Sequence, residues 1–128
     1  MISKSNLLVV ASLQVVLLVL PHAANSKSDQ CGLASVYTTE SEKAASGEDT
    51  QPRDFTAAHR SLPFGTLVLV HNQENGRSAV VKITDRGPFT TGRIIDLSQI
   101  AARELRISGL TKVCLNIVCE QNCPHGLR

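Results

Sequence analysis

The stretch from Ile83 to Ser98 reads ITDRGPFTTGRIIDLS, and it places four charged residues around a Gly-Pro turn between two apolar runs. Short apolar runs of this kind are typical of strands that face a core. Charges inside such runs must be paired to be tolerated in a protein interior. We therefore predict that Asp96 pairs with Arg86 or Arg93. Asp85 ends the first run, where it either accepts backbone N–H groups of the turn or belongs to a functional site.

The segments on either side of this stretch predict further strands and a helix. Asn75-Gly76 separates the runs TLVLVHN and SAVVKITD, and an Asn-Gly pair between two β-rich runs is a strong hairpin signal. Ser98 is a typical N-cap for a short helix over QIAARELR. The runs LASVY from Leu33 and GLTKVCLNIV from Gly109 predict a first and a last strand. We expect a mainly β domain, a closed barrel rather than a sandwich, with one or two short helices.

The N-terminal residues have the organisation of a secretory signal. Lys4 precedes the apolar run LLVVASLQVVLLVL, and small residues follow it. The run is shorter than the roughly 20 residues that a membrane-spanning helix needs. We predict a signal peptide over residues 1–24 and a polar leader over residues 25–30, with an uncleaved anchor as the alternative. No lipid-attachment box precedes Cys31, so we expect no stable membrane anchor and a periplasmic or secreted protein.

The charge balance argues against several classes of partner. The chain of 128 residues has a formal net charge of +2 and no block of basic residues. Nucleic acid and electrostatic membrane binding are therefore not expected. Aromatic residues are few, with one Tyr, three Phe and no Trp, so we expect an aliphatic core.

All four cysteines lie in the segment that we expect to be exported. An even number in an oxidising compartment predicts two disulfides, with three possible pairings. A zinc site that uses the last three cysteines and His125 is the alternative, but the spacing lacks the paired C-x2-C motifs of structural zinc. We expect no metal and no cofactor. The cysteines are Cys31, Cys114, Cys119 and Cys123.

Three polar side chains are candidates for chemistry: Glu48 in ASGE, His59 in TAAHRSLPFGT and Asp85 in DRGPF. Each also has a structural interpretation. Glu48 can be a solvated loop residue, His59 a helix-end residue bonded to backbone, and Asp85 an acceptor of backbone N–H groups in the turn. Cleavage of a glycosidic bond gives a reason to bring them together, because it needs an acid at the leaving oxygen and stabilisation of an oxocarbenium-like centre. Such an acid stays protonated through burial or a neighbouring like charge, and Asp96 is a further carboxylate that can supply one.

Six segments of the chain follow one another in the order found in a known family. They resemble RlpA-type proteins, the bacterial rare lipoprotein A group, which have a double-psi β-barrel. The resemblance covers residues 31–118 and implies a six-stranded barrel of that kind, with residues 119–128 as a short cysteine-containing tail. The cysteines are not a general feature of the family. Because a closed barrel brings the first and last strands together, we expect the pair Cys31–Cys114, which leaves Cys119–Cys123 to close a small loop in the tail. The segments are GLASVY, ASGE, FTAAHRSLPFGTLVLV, NGRSAVVKITDRGPF, GRIIDLSQIAAREL and GLTKVCLNIV.

The resemblance also implies an activity. Characterised RlpA-type proteins are lytic transglycosylases, which cleave the β-1,4 bond between N-acetylmuramic acid (MurNAc) and N-acetylglucosamine (GlcNAc) in peptidoglycan and leave a 1,6-anhydro end. The sugar's own 6-hydroxyl closes the ring, so one carboxyl can serve first as acid and then as base, and we expect Asp85 in this role. Glu48 and His59 are expected to tune Asp85 or to orient the sugar. The residues expected to brace the site or bind substrate are Arg86, Asp96 and Tyr37.

Two other functions fit the same residues. A non-catalytic, expansin-like barrel would bind peptidoglycan or another polysaccharide through the same groove. A hydrolase would use Asp85 with Glu48 as a second carboxylate and would leave a reducing end rather than an anhydro sugar. In each case the expected partner is a glycan strand, which the protein reaches through the barrel alone or through protein partners that the sequence does not identify.

Overall fold

The computed structural model describes residues 29–37, 45–47 and 54–124. Within these residues the chain forms six β-strands and one short helix. In chain order the elements are β1 (Gln30–Val36), β2 (Thr56–Ala58), β3 (Leu67–Asn72), β4 (Ser78–Asp85), β5 (Arg93–Leu97), α1 (Gln99–Glu104) and β6 (Thr111–Cys119).

The six strands close into a barrel in the order β1-β5-β2-β4-β3-β6, and β6 pairs back with β1. The pairs β1–β5 and β2–β4 are parallel, whereas the other four are antiparallel. Among these six described strands, closure leaves no edge open to pairing with another chain. The predicted mainly β, six-stranded barrel is confirmed, and the part of the chain that the structure describes contains one helix.

The hairpin and the helix start lie where the sequence predicts them. Asn75-Gly76 lies in the turn between β3 and β4, which pair antiparallel. Gly76 has a φ of 76°, a left-handed conformation that glycine adopts without a steric penalty. Ser98 caps α1, because its side chain accepts a hydrogen bond from the backbone N–H of Ala101.

β2 is a strand that the sequence did not predict. Its residues Ala57 and Ala58 are weak strand formers, but they pair with β4 on one side and with β5 on the other. This central position overrides the local propensity. The interpretation of His59 as a helix-end residue bonded to backbone is therefore wrong about the helix, because His59 follows a strand, and correct about the bonding to backbone.

The core of the barrel is aliphatic, as expected. Ile95 and Leu97 are both 0% exposed, and because side chains alternate along a strand, Asp96 between them faces away from this core. The largest apolar side chains in the core are Ile83, Ile95, Leu97, Leu105, Val68, Val70, Val81 and Val113.

Both ends of the barrel domain carry a disulfide. Cys31 lies opposite Cys114 in the β1–β6 ladder and is bonded to it, and Cys119 is bonded to Cys123. These are the pairs expected from a closed barrel that brings the first and last strands together. The zinc alternative is wrong for these cysteines, because none of the four is free. β1 begins at Gln30 and β6 ends at Cys119, one residue beyond each limit of the predicted domain.

Several predictions fall on residues that the structure leaves undescribed. They are the signal peptide over residues 1–24, most of the leader, Glu48 and His125. Among the described ranges, no helix has the length and apolar character needed to cross a membrane.

Candidate active site

Two carboxylates lie on one strip that crosses four neighbouring strands. In the ladders, Asp85 of β4 lies opposite Ala58 of β2, and Ala58 also lies opposite Asp96 of β5. Asp96 in turn lies opposite Ser35 of β1. The small side chain of Ala58 therefore separates Asp85 from Asp96. We call Asp85, Ala58, Asp96 and Ser35 the carboxylate strip.

Asp85 is held at one of its two carboxylate oxygens. Oδ1 accepts hydrogen bonds from the backbone N–H groups of Ala45, at 3.1 Å, and Arg86, at 3.3 Å. The segment that carries Ala45 is tied to the same end of β4, because the Ser46 N–H donates to the Thr84 carbonyl at 2.9 Å. Among the residues that the structure describes, Oδ2 of Asp85 has no hydrogen-bond partner.

Asp96 is part of a hydrogen-bonded cluster with Ser35 and Arg93. Its Oδ1 accepts from the Ser35 hydroxyl and from Nη2 of Arg93 at 3.1 Å. The Arg93 guanidinium also donates to the Ser35 oxygen through Nε and Nη2. The Arg93–Asp96 ion pair is partly buried, with side chains 29% and 18% exposed. Of the two predicted partners for Asp96, the structure selects Arg93.

The guanidinium of Arg86 contacts the segment next to the strip rather than the carboxylate of Asp85. Its Nη1 donates to the backbone carbonyls of His59, at 3.2 Å, and Leu62, at 2.8 Å. The guanidinium carbon lies 4.0 Å from the centre of the Phe64 ring, a cation–π distance. Arg86 therefore fixes the 59–64 segment beside the strip and contributes to Asp85 only through its backbone N–H.

His59 is buried under the site and uses both ring nitrogens for structure. Nδ1 accepts from the backbone N–H groups of Ser61, at 3.2 Å, and Leu62, at 3.1 Å. Nε2 lies 3.0 Å from Oε1 of Gln30, so the neutral Nε2–H tautomer satisfies all three contacts. Its backbone N–H donates to the Asp85 carbonyl at 3.1 Å. His59 is thus joined to Asp85 through the backbone.

The environment of His59 favours its neutral form. Burial lowers the pKa of the imidazole below its usual value, and the positive charges of Arg86 and Arg60 lower it further. A neutral ring with Nδ1 as acceptor is the form that the 59–62 turn requires.

Tyr37 follows the last residue of β1 and carries a buried hydroxyl next to the carboxylates. Its backbone N–H donates to the Leu97 carbonyl at 3.0 Å, and its side chain follows Ser35 on the same face of the chain. Burial raises the pKa of Tyr37 far above its usual value, and the negative charges of Asp85 and Asp96 raise it further. Within the described part of the chain the buried hydroxyl has no hydrogen-bond partner.

The Gly87-Pro88 turn closes the site on one side. Its peptide bond is cis, and Gly87 has a φ of 120°, which a residue with a side chain rarely adopts. A Cβ at Gly87 would lie 3.6 Å from the Phe89 ring and 3.9 Å from Oδ2 of Asp96. The backbone conformation therefore favours glycine here, whereas the space beside the carboxylate would admit a Cβ in ordinary van der Waals contact.

Three groups contribute to the site but were not predicted from the sequence. Arg60 donates to the carbonyls of Pro88, Thr90 and Arg93 at 2.6, 2.8 and 3.0 Å. Ser35 and the Ala45 N–H were also missed, because their roles depend on strand register and on a loop contact. Glu48 follows Gly47 in the sequence and lies outside the described residues. In the described ranges no three His, Cys, Asp or Glu side chains are grouped to hold a metal ion.

A mixed six-stranded barrel of this order is a double-psi β-barrel, and comparisons with known proteins agree. The Streptomyces papain inhibitor superposes with a TM-score of 0.58 at 22% identity, over 73% of this chain and 96% of the inhibitor. The expansin of Clavibacter michiganensis gives 0.58 at 20% identity, over 76% of this chain and 54% of the expansin. These similarities establish the fold.

The family follows from sequence similarity. The family model described as "Lytic transglycolase" matches residues 29–116. A "Probable endolytic peptidoglycan transglycosylase RlpA" from Synechocystis sp. is 51% identical over 100 residues, which are 75% of this chain and 31% of the relative. The "Endolytic peptidoglycan transglycosylase RlpA" of Escherichia coli is 46% identical over 105 residues, which are 79% of this chain and 29% of the relative.

The chain therefore belongs to the lytic transglycolase family and is an RlpA-type protein. It spans less than a third of the length of these two relatives.

Proposed function

We propose that this protein is a peptidoglycan lytic transglycosylase that cleaves the MurNAc–GlcNAc β-1,4 bond and leaves a 1,6-anhydro end, with Asp85 as its acid and base. The names of its relatives support the substrate class. The position of Asp85 supports the role, because its Oδ1 is anchored by two backbone N–H groups and its carboxylate, unlike that of Asp96, is not paired with a cation among the described residues. This anchoring without a cation is the observation that carries the proposal.

The proposed reaction returns the carboxyl group to its starting state. Oδ2 of protonated Asp85 donates its proton to the glycosidic oxygen as the bond from that oxygen to C1 of MurNAc breaks. The carboxylate of Asp85 then accepts the proton of the 6-hydroxyl of the same sugar, while the oxygen of that hydroxyl bonds to C1. No water is consumed, and Asp85 is protonated again. Asp96 supplies a negative charge on the same strip, where it stabilises an oxocarbenium-like centre.

The other predicted residues have supporting roles in this proposal. His59 positions the end of β4 through the backbone hydrogen bond to Asp85, and Arg86 fixes the neighbouring segment. Glu48 follows the segment whose Ala45 N–H contacts Asp85, and we propose that its carboxyl group orients the muramic sugar or tunes Asp85. A Glu48→Gln variant that cleaves as fast as wild type would remove Glu48 from the mechanism.

We also propose that the protein is exported through a cleaved signal in residues 1–24 and acts in the periplasm or outside the cell. The two disulfides support this compartment, because such bonds persist in oxidising environments. N-terminal sequencing of the protein from its native host tests it. A first residue near position 25 is expected, and a mature protein that still begins at Met1 would contradict the proposal.

Product analysis tests the activity and separates it from its alternatives. The purified protein is incubated with peptidoglycan sacculi and with peptide-free glycan strands, and the soluble products are identified by mass spectrometry. Ends with 1,6-anhydro-MurNAc are expected. Reducing ends would instead indicate the hydrolase. No product, together with retention on sacculi, would leave the non-catalytic binding barrel, which the shared fold with an expansin keeps as the second candidate.

A further inference from the structure

Phe89 is an aromatic side chain that the fold itself does not use. It is 82% exposed, the most exposed of the large apolar side chains in the described ranges. A single exposed apolar residue needs no explanation by itself. Phe89, however, is one of only four aromatic residues in the chain, and it lies in the turn that borders the carboxylate strip.

The segment that carries Phe89 is held in place by Arg60. The guanidinium of Arg60 donates to the carbonyl groups of Pro88, Thr90 and Arg93, which lie on both sides of Phe89 along the chain. Hydrogen bonds from a charged donor are stronger than those between neutral groups. The exposed ring is thus presented by an anchored backbone, so little ordering is needed when a ligand binds.

The Phe89 ring lies next to the candidate active site. Both the ring edge and Oδ2 of Asp96 lie within 4 Å of the point where a Cβ of Gly87 would be. The turn that bears the ring also begins directly after Asp85 and Arg86. A ligand that lies along the strip past Asp96 therefore meets the aromatic ring.

We propose that Phe89 is the aromatic platform of a sugar subsite beside the carboxylate strip, where the ring stacks on the apolar face of one pyranose of a glycan strand. Binding sites combine apolar and aromatic surface with a few placed polar groups, and here the polar groups are those of the adjoining strip. A pyranose ring has an apolar face of C–H groups together with hydroxyl groups at its rim, so it matches both parts. The inference deepens the proposed function and rests on it.

A tryptophan introduced at position 89 can report the contact directly, because the chain contains no other tryptophan. The Phe89→Trp substitution is made together with Asp85→Asn, so that the glycan is bound without being cleaved. Emission is followed while peptide-free GlcNAc–MurNAc oligosaccharide is added. A shift or quench that saturates is expected. The control is Val118→Trp in the same background, since Val118 is 47% exposed on β6, which pairs with β1 and β3 only.

Binding affinity supplies the second readout. By isothermal calorimetry in the Asp85→Asn background, Phe89→Ala is expected to weaken binding of the same oligosaccharide roughly threefold to tenfold, the size expected for one lost aromatic stack. Val118→Ala is expected to leave the affinity unchanged. Neither variant is expected to change the melting temperature, because both side chains are exposed.

The outcomes separate the two proposals. Two results together would overturn the subsite and leave the proposed function intact. The emission of the Phe89→Trp variant would not change when glycan is added, and the Phe89→Ala variant would bind glycan as tightly as its Asp85→Asn parent. If the parent protein bound no glycan and wild type released no product from sacculi, the proposed function and the subsite would both be overturned. An equal emission change in the Val118→Trp variant would show a non-specific effect and would also overturn the subsite.

Discussion

At the scale of single residues, the two carboxylates of the strip differ in how they are held. Asp96 has its Oδ1 committed to Ser35 and Arg93, whereas Asp85 is anchored only by backbone N–H groups. Both carboxylates accept their hydrogen bonds through Oδ1. They differ in charge pairing, because Asp96 forms an ion pair with Arg93, whereas Asp85 has no cation partner among the described residues.

The Tyr37 hydroxyl gives a prediction at this scale. A buried hydroxyl without a partner lowers stability, so Tyr37→Phe is expected to leave the free energy of unfolding unchanged or to raise it by up to ~1 kcal/mol. The hydroxyl carries its proton at neutral pH, as tyrosine ordinarily does, and Asp85 and Asp96 are near enough to raise its pKa. It is therefore a hydrogen-bond donor that the site can use. Anhydro-end formation is therefore expected to fall about tenfold, the size of roughly one hydrogen bond.

Urea unfolding and product analysis on the same preparation check this prediction. A loss of more than ~1 kcal/mol of stability would mean that the hydroxyl is already bonded in the free protein. Unchanged stability with unchanged activity would mean that the hydroxyl has no role in the site.

At the scale of elements, the turn after β2 depends on an imidazole that must stay neutral. Protonation of Nδ1 would remove the acceptor for the Ser61 and Leu62 N–H groups. Since the folded-state pKa of His59 lies below its usual value, the unfolded chain takes up this proton first as pH falls. The stability that neutral His59 contributes is therefore fully present above about pH 6.5. It declines as the pH falls from there towards the folded-state pKa of His59.

The prediction is that His59→Asn flattens this decline. An Asn side-chain oxygen can accept from the following backbone N–H groups in a similar turn, but it does not titrate. Denaturant unfolding of wild type and variant is measured at a series of pH values from about 7.5 to about 5, which bracket the usual pKa of histidine. For each protein this gives the slope of the free energy of unfolding against pH. Equal slopes for wild type and variant would show that His59 is not the source of the acid sensitivity.

Local signals predicted some elements well and failed for others. The β3–β4 hairpin depends on the adjacent residues Asn75-Gly76, and the start of α1 depends on Ser98. The sequence was therefore sufficient to predict both features. β2 depends on partners far along the chain: Ala57 pairs with Ile83 and with Leu97. Long-range pairing is not encoded in three residues, and the strand was therefore missed. The same reason explains why His59 was interpreted as ending a helix.

At the scale of the whole molecule, closure of the barrel creates the strip. Asp85 and Asp96 were identified as candidates from the sequence, but their common strip follows from the register of β4, β2 and β5. The choice of Arg93 over Arg86 as partner of Asp96 also required the tertiary structure, because Arg86 lies beyond the end of β4 and turns back to loop carbonyls. The sequence therefore predicted which residues are candidates for the site, but it did not predict which of them contact one another.

The two disulfides are expected to contribute unequally to stability. Cys31–Cys114 spans 83 residues, and Cys119–Cys123 spans 4. Since a crosslink that closes a longer loop restricts the unfolded chain more, replacing the first pair by alanine should lower the free energy of unfolding by about 4.5 kcal/mol. Replacing the second pair should lower it by about 2 kcal/mol. Chemical denaturation of the two double variants measures the difference, and a larger loss from the second pair would contradict the prediction.

The central claim is that Asp85 carries the proton in glycan cleavage. The most direct test compares the rate at which wild type, Asp85→Asn and Glu74→Gln form 1,6-anhydro-MurNAc ends from peptide-free glycan strands. Glu74 is an exposed carboxylate in the β3–β4 turn, so its variant controls for the loss of a negative charge. We predict that Asp85→Asn lowers the rate by roughly 10²–10⁴-fold and that Glu74→Gln leaves it unchanged. An Asp85→Asn variant that cleaves at the wild-type rate would contradict the account.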